Sequence, residues 1–135
     1  MRVHLRLWLP PIAWALLILA SSGDAGSSST TESLLRKLVA GLGEDAVFYI
    51  NYVIRKGGHL FAYGILAALN YRALRGLTPG WRLRWSVAAV LLAIAVACID
   101  EFRQSESVSR TGTLTDVGFD FCGAVLAQLV VRRGK

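Results

Sequence analysis

Lysine-rich runs, zinc-finger spacing and aromatic RNA-binding motifs are all missing from these 135 residues. Without them, a net charge of +6 is no argument for a nucleic-acid partner, and none is expected. No nucleophile elbow, phosphate-binding loop or His-Glu-x-x-His pattern occurs either, so no particular reaction is indicated. Cysteine is scarce. Cys98 and Cys122 stand in apolar stretches and read as small buried fillers, with no positive support for a disulfide. Histidine is limited to His4 and His59, and no local ligand spacing demands a metal, so no metal and no cofactor is assigned. Trp8, Trp14, Trp81 and Trp85 read as interfacial or core residues.

What the chain does have is apolar surface. Hydrophobic residues make up 54% of it, and the mean hydropathy is +0.48. Both values are high for a soluble domain, so a soluble helical core protein competes with a small membrane protein. Four apolar segments stand out, and each reaches the ~20 residues of a spanning helix once its polar flanks are counted. The charges separate the two readings. Arg2 and Arg6 precede the first segment, Arg72, Arg75, Arg82 and Arg84 lie between the second and third, and Arg132, Arg133 and Lys135 follow the fourth. Those three places hold nine basic residues and no acid, while all nine acids fall elsewhere. Four spans with both termini in the cytoplasm obey the positive-inside rule completely.

The expected architecture is therefore all-α: a four-helix transmembrane bundle in one domain covering 1–135, with spans near 5–22, 57–74, 84–103 and 114–131. The expected location is the inner (cytoplasmic) membrane. The first segment, with two early arginines and "ASSGDAG" behind it, also resembles a signal peptide, and that alternative stays open. In the first outer loop Leu34, Leu35, Leu38, Val39 and Leu42 recur at helical spacing, with Thr31 as a candidate cap. They predict an additional amphipathic helical segment at the outer interface, an ordinary surface helix being the other reading.

One stretch resists the apolar pattern. Residues 98–123, "CIDEFRQSESVSRTGTLTDVGFDFCG", contain Asp100, Glu101, Glu106, Asp116 and Asp120 together with Arg103 and Arg110. At 1.5 Å per helical residue, Lys56, Asp100 and Asp116 each stand about 24 Å above the inner arginines. His59 and Asp120 stand about 18–20 Å above them. Three segments thus place ionisable groups in two matching layers. Lys56, His59 and Tyr63, continued by Asn70, share one helical face, as do Asp116, Asp120, Gly123 and Ala127. Asp100 and Gln104 are spaced i, i+4, with Glu101 beside them. A lone charge at the bilayer centre costs at least ~2.5–3.5 kcal/mol, so these groups are expected to turn inward and pair. His59 is expected near one of Asp100, Glu101, Asp116 and Asp120, and Lys56 near another. The small residues at 123 and 127 are expected to let helices approach closely.

With these residues in view, the chain resembles the VanZ-like family of small bacterial membrane proteins. The resemblance rests on Ser21–Ser22, on "KGGHLFAY" with Lys56, His59 and Tyr63, and on "DEFRQ" with Asp100, Glu101 and Gln104. It continues through "RTGTLTD", with Arg110 and Asp116, to Gly123, and covers most of the chain outside residues 23–50. Where the family pattern commonly carries asparagine this chain has Asp120, which adds a carboxyl group. The resemblance implies a multi-pass protein of the cell envelope, and the family takes its name from a protein associated with teicoplanin resistance.

Three readings of the polar residues follow. They form an ion-pair network that staples helices. Or Lys56, His59, Tyr63, Asp100, Glu101, Gln104, Arg110, Asp116 and Asp120 bind the head group of an envelope lipid or a glycopeptide-related ligand, Arg110 and Lys56 taking an anion. Or they form a small intramembrane enzyme acting on a lipid-linked or phosphate-bearing head group, with His59, Asp100, Glu101 and Asp116 as candidate catalytic groups. Membrane lipids are the expected surroundings, and the sequence does not specify the oligomeric state.

Overall fold

The computed structural model describes residues 2–21, 28–38, 41, 43–105 and 114–134. Those residues form five helices and no strand: α1 (Arg2–Ser21), α2 (Ser28–Leu38), α3 (Glu44–Arg75), α4 (Leu83–Ser105) and α5 (Leu114–Arg133). The first contains Pro10 and Pro11, which remove two backbone donors from its interior. Outside help holds it in place. Trp14 Nε1 donates to the Ala62 carbonyl of α3 at 2.9 Å, and Arg103 of α4 donates to the Leu19 carbonyl at 2.9 Å, meeting one of the open acceptors at the end of α1.

The outer segment is divided differently from the expectation. Its amphipathic part ends at Leu38, and Thr31, the candidate cap, lies inside α2. Val39 and Leu42 fall outside the described residues. Arg36 holds α2 to the start of α3, pairing with Glu32 at 2.7 Å and Glu44 at 3.5 Å. The hydrogen bond to Glu32 raises the Arg36 pKa above its ordinary value. Residues 44–56 do not belong to a separate piece. They run without a break into the second apolar segment, giving a helix of 32 residues, about 48 Å long. Gly57 and Gly58 sit inside it, where their helix-propensity cost of ~1 kcal/mol each is outweighed by the packing on both sides. Gly76 then ends α3 with φ +59°. Its N–H donates to the Arg72 carbonyl at 3.1 Å, and Pro79 follows.

Of the expected spans, α4 is the helix among the described residues long and apolar enough to cross a membrane. The apolar part of α1, Leu5–Ser21, is shorter. The helices α3 and α5 carry Lys56, His59, Asp116 and Asp120 within or beside their apolar runs, which dilutes the signal there.

All four other helices pack on α3, and α5 does so most extensively. The centre is made of small side chains: Ala67, Ala93, Ala97 and Ala124 are fully buried, alongside Tyr63, Leu66 and Ile18. At Gly64 and Gly123 two backbones touch. A Cβ on Gly123 would lie 2.8 Å from the Leu60 carbonyl carbon, and one on Gly64 would lie 3.1 Å from the Gly123 oxygen and 3.7 Å from Ala127 Cβ. The small-residue stripe at 123 and 127 thus serves the close approach expected of it. Large apolar residues point the other way: Phe61 is 72% exposed, Leu91 64% and Val130 70%. Cys98 and Cys122 share that outer surface, both exposed and both free thiols, which corrects their reading as buried fillers. The inward face of α4 is taken by Ala93, Ala97, Asp100 and Gln104, and that of α5 by Asp120, Gly123, Ala124 and Gln128. Each cysteine stands one residue off its stripe.

Candidate functional site: a buried polar cluster

The contacts fix the relative directions of the helices. Partners on α3 and α5 rise together in number, from Lys56–Asp116 through His59–Asp120 to Ala67–Gln128, so these two run parallel. Partners on α3 and α4 run oppositely, from Tyr63–Asp100 to Tyr71–Arg82. Two parallel helices bring their ionisable residues into register one turn at a time, and α4 supplies its acids at the same level from its C-terminal end.

In the first layer Lys56 forms an ion pair with Asp116, the two side chains being 18% and 12% exposed. The Lys56 ammonium also lies over the rings of Tyr52, at 5.4 Å, and Phe119, at 5.3 Å. One turn further in, His59 Nδ1 stands 3.1 Å from Asp120 Oδ1, and its ring stacks on Tyr63 with 6.2 Å between centroids. The Tyr63 hydroxyl donates to Asp100 Oδ2 at 3.3 Å, and Gln104 Nε2 donates to the same oxygen at 2.9 Å. Asp100 and Asp120 are fully buried, and Glu101 keeps 7%. One donor atom each from His59, Glu101 and Asp120 lies within 4.8 Å of the others. Among the described residues, Asp120 Oδ2 is buried without a hydrogen-bond partner.

Lys56 and His59 each meet an acid of their own expected depth, whereas Asp100, expected level with Lys56 and Asp116, bonds to Tyr63 further in. Asn70 is buried on the expected face. Arg110 and Glu106 fall outside the described residues. A second polar group was missed. Gln128 Nε2 donates to the Ala67 carbonyl at 3.0 Å, and Ser86 Oγ donates to Gln128 Oε1 at 3.1 Å. The signal was present, because Asp116, Asp120, Ala124 and Gln128 repeat at i+4. Near the same end, Arg82 and Arg84 lie over Trp85 and Arg132 over Trp81, each about 5 Å from the ring centre.

A helical body with apolar bulk outside and carboxylates inside inverts the soluble pattern, in which acids are almost never fully buried unless paired. That inversion and the apolar α4 mark a membrane protein. A family model described as VanZ/LLP1 matches residues 7–133, and the chain belongs to that family. No curated protein and no solved structure matches it.

Proposed function

We propose that the chain is a four-span protein of the bacterial inner membrane with both termini cytoplasmic, and that its outer polar cluster recognises the head group of an envelope lipid or glycopeptide-related ligand. The alternating directions of α1, α3, α4 and α5 support the four spans. Trp14 meets Ala62 and Arg103 meets Leu19, so α1 runs against α3 and alongside α4. Two up and two down crossings leave both ends on the side where the nine unopposed basic residues gather. On this reading roughly the first third of α3 rises beyond the hydrocarbon, since about 48 Å exceeds the ~30 Å it needs to cross.

The observation that carries the head-group reading is the position of the cluster. Lys56, Asp116 and His59 keep partial exposure at the outer end, while Asp100 and Asp120 below them are sealed. A site open to the envelope and closed towards the cytoplasm suits a ligand that arrives from outside. Intramembrane ionisable groups of this kind mark functional sites by default. The stapling reading is favoured by a different observation, the two cross-helix pairs themselves.

Reporter fusions at Lys135 and in residues 23–30 test the topology; a periplasmic C-terminus overturns it. His59→Gln, Asp116→Asn and Arg110→Lys test the site. Each is expected to insert and melt nearly as the parent does, with loss of a phenotype such as altered teicoplanin sensitivity. Full phenotype with reduced stability returns the cluster to a purely structural role.

A further inference from the structure

We infer that His59, Glu101 and Asp120 form a binding site for one divalent transition-metal ion of the zinc or manganese class. The three side chains come from α3, α4 and α5, and one donor atom of each lies within 4.8 Å of the other two. The tightest edge of that triangle is already near coordination size. His59 Nδ1 and Asp120 Oδ1 are 3.1 Å apart, and two ligands at ~2.0–2.1 Å from a tetrahedral zinc stand about 3.3 Å from each other. Glu101 needs to close in by about 1.5 Å at most.

The second observation is the carboxylate of Asp120. Its side chain is 1% exposed, and Oδ2 finds no hydrogen-bond partner among the described residues. A buried acceptor left in that state costs ~1–3 kcal/mol or more, and a metal ion bound through both oxygens removes the cost. An imidazole in the set selects against magnesium and calcium, which take oxygen ligands, and suits zinc, manganese or iron. His59, Glu101 and both oxygens of Asp120 supply four donor atoms, and the 19% exposure of the His59 side chain provides the ion's route in. The ion needs only these three side chains and does not depend on the head-group reading.

The test uses the purified full-length chain in detergent, stripped with chelator, and titrated at neutral pH with zinc and, separately, manganese and calcium by calorimetry. One zinc per chain is expected, with calcium binding far more weakly. Affinity is expected to fall by about 100-fold or more in Asp120→Asn and Glu101→Gln and to be kept in Gly118→Ala. Absence of zinc and manganese binding up to millimolar concentration overturns the site. So does binding that both ligand substitutions leave intact. A readout on the parent chain avoids dependence on variants that fail to fold. With Cu²⁺ as a spectroscopic probe, pulsed EPR should show coupling to one imidazole nitrogen. The chain has two histidines, so the signal must survive His4→Gln. Loss of the signal in His4→Gln, or its absence from the parent, equally overturns the assignment.

Discussion

Replacing Gly123 by alanine adds one methyl group where α5 crosses α3. The new Cβ would lie 2.8 Å from the carbonyl carbon and 2.9 Å from the Cα of Leu60, inside the 3.4 Å at which ordinary contact begins. Backbone cannot rotate away as a side chain can, so the helices must part by about 1 Å at the crossing in an interior packed this tightly. Leu60 adjoins His59, and Gly123 lies one turn from Asp120. The same movement therefore stretches the 3.1 Å His59–Asp120 contact to roughly 4 Å, beyond hydrogen-bonding range. Overpacking costs ~1–3 kcal/mol, and losing a buried bond to a charged group adds ~1.5–3 kcal/mol. A destabilisation of about 3–5 kcal/mol is expected. The assay is equilibrium unfolding in one detergent mixture, followed by the fluorescence of the four tryptophans. Gly118→Ala is the control on the same helix, since its Cβ would meet nothing within 4 Å. It should be neutral or gain up to ~1 kcal/mol from helix propensity. Gly64→Ala, 3.1 Å from the Gly123 oxygen, should fall between them. If Gly123→Ala unfolds together with Gly118→Ala, the close crossing does not hold the cluster in register and the reasoning fails.

Three further outcomes follow from the packing. Lys56→Met breaks the largely buried Lys56–Asp116 pair and should cost up to ~3–5 kcal/mol, while adding Asp116→Leu should recover most of it; an unchanged midpoint in the single variant removes the pair from the stability of the fold. Trp14→Phe deletes the only donation from its ring to Ala62 and should lower stability by about 1 kcal/mol in the same unfolding assay, with a larger loss if α1 detaches. Cys98 and Cys122, both on the outer surface, should label with an apolar maleimide in the folded protein and should form no disulfide under mild oxidation, as read by mass spectrometry.

Helix rise and face were enough to read the paired layers from sequence, because 1.5 Å per residue is insensitive to how helices pack. Depth alone puts Asp120 level with His59 and leaves Asp100 and Asp116 as alternatives for Lys56, between which the contacts on α5 decide. Three other features were not legible. The continuity of α3 through residue 56 depends on packing that overrides Gly57 and Gly58, where local propensity suggests a break. The outward placement of Cys98 and Cys122 needs the rotation of each helix, and apolar composition on all sides of α4 conceals it. For His59 the depth match gives a meeting with one acid, but that Glu101 and Asp120 both reach it depends on how three helices are rotated, which no spacing within one segment announces. Gln128 was within reach, since it continues the i+4 series of Asp116 and Asp120, but uncharged amides stand out less against an apolar run.

The alanine and glycine core also divides the surface of tolerance in this chain. Where two backbones touch at Leu60 and Gly123, or a methyl group fills the whole space between helices at Ala93 and Ala97, no larger residue has room to be tried. Phe61, Leu91 and Val130 point outward, and on the four-span reading their neighbour is fluid lipid, where almost any apolar side chain serves. Drift over generations is then channelled to two places, the outward faces and the outer end. On the proposed head-group reading the outward faces can change without consequence for the ligand, and the capacity to acquire a new specificity is concentrated in the few residues around Lys56, His59 and Asp116.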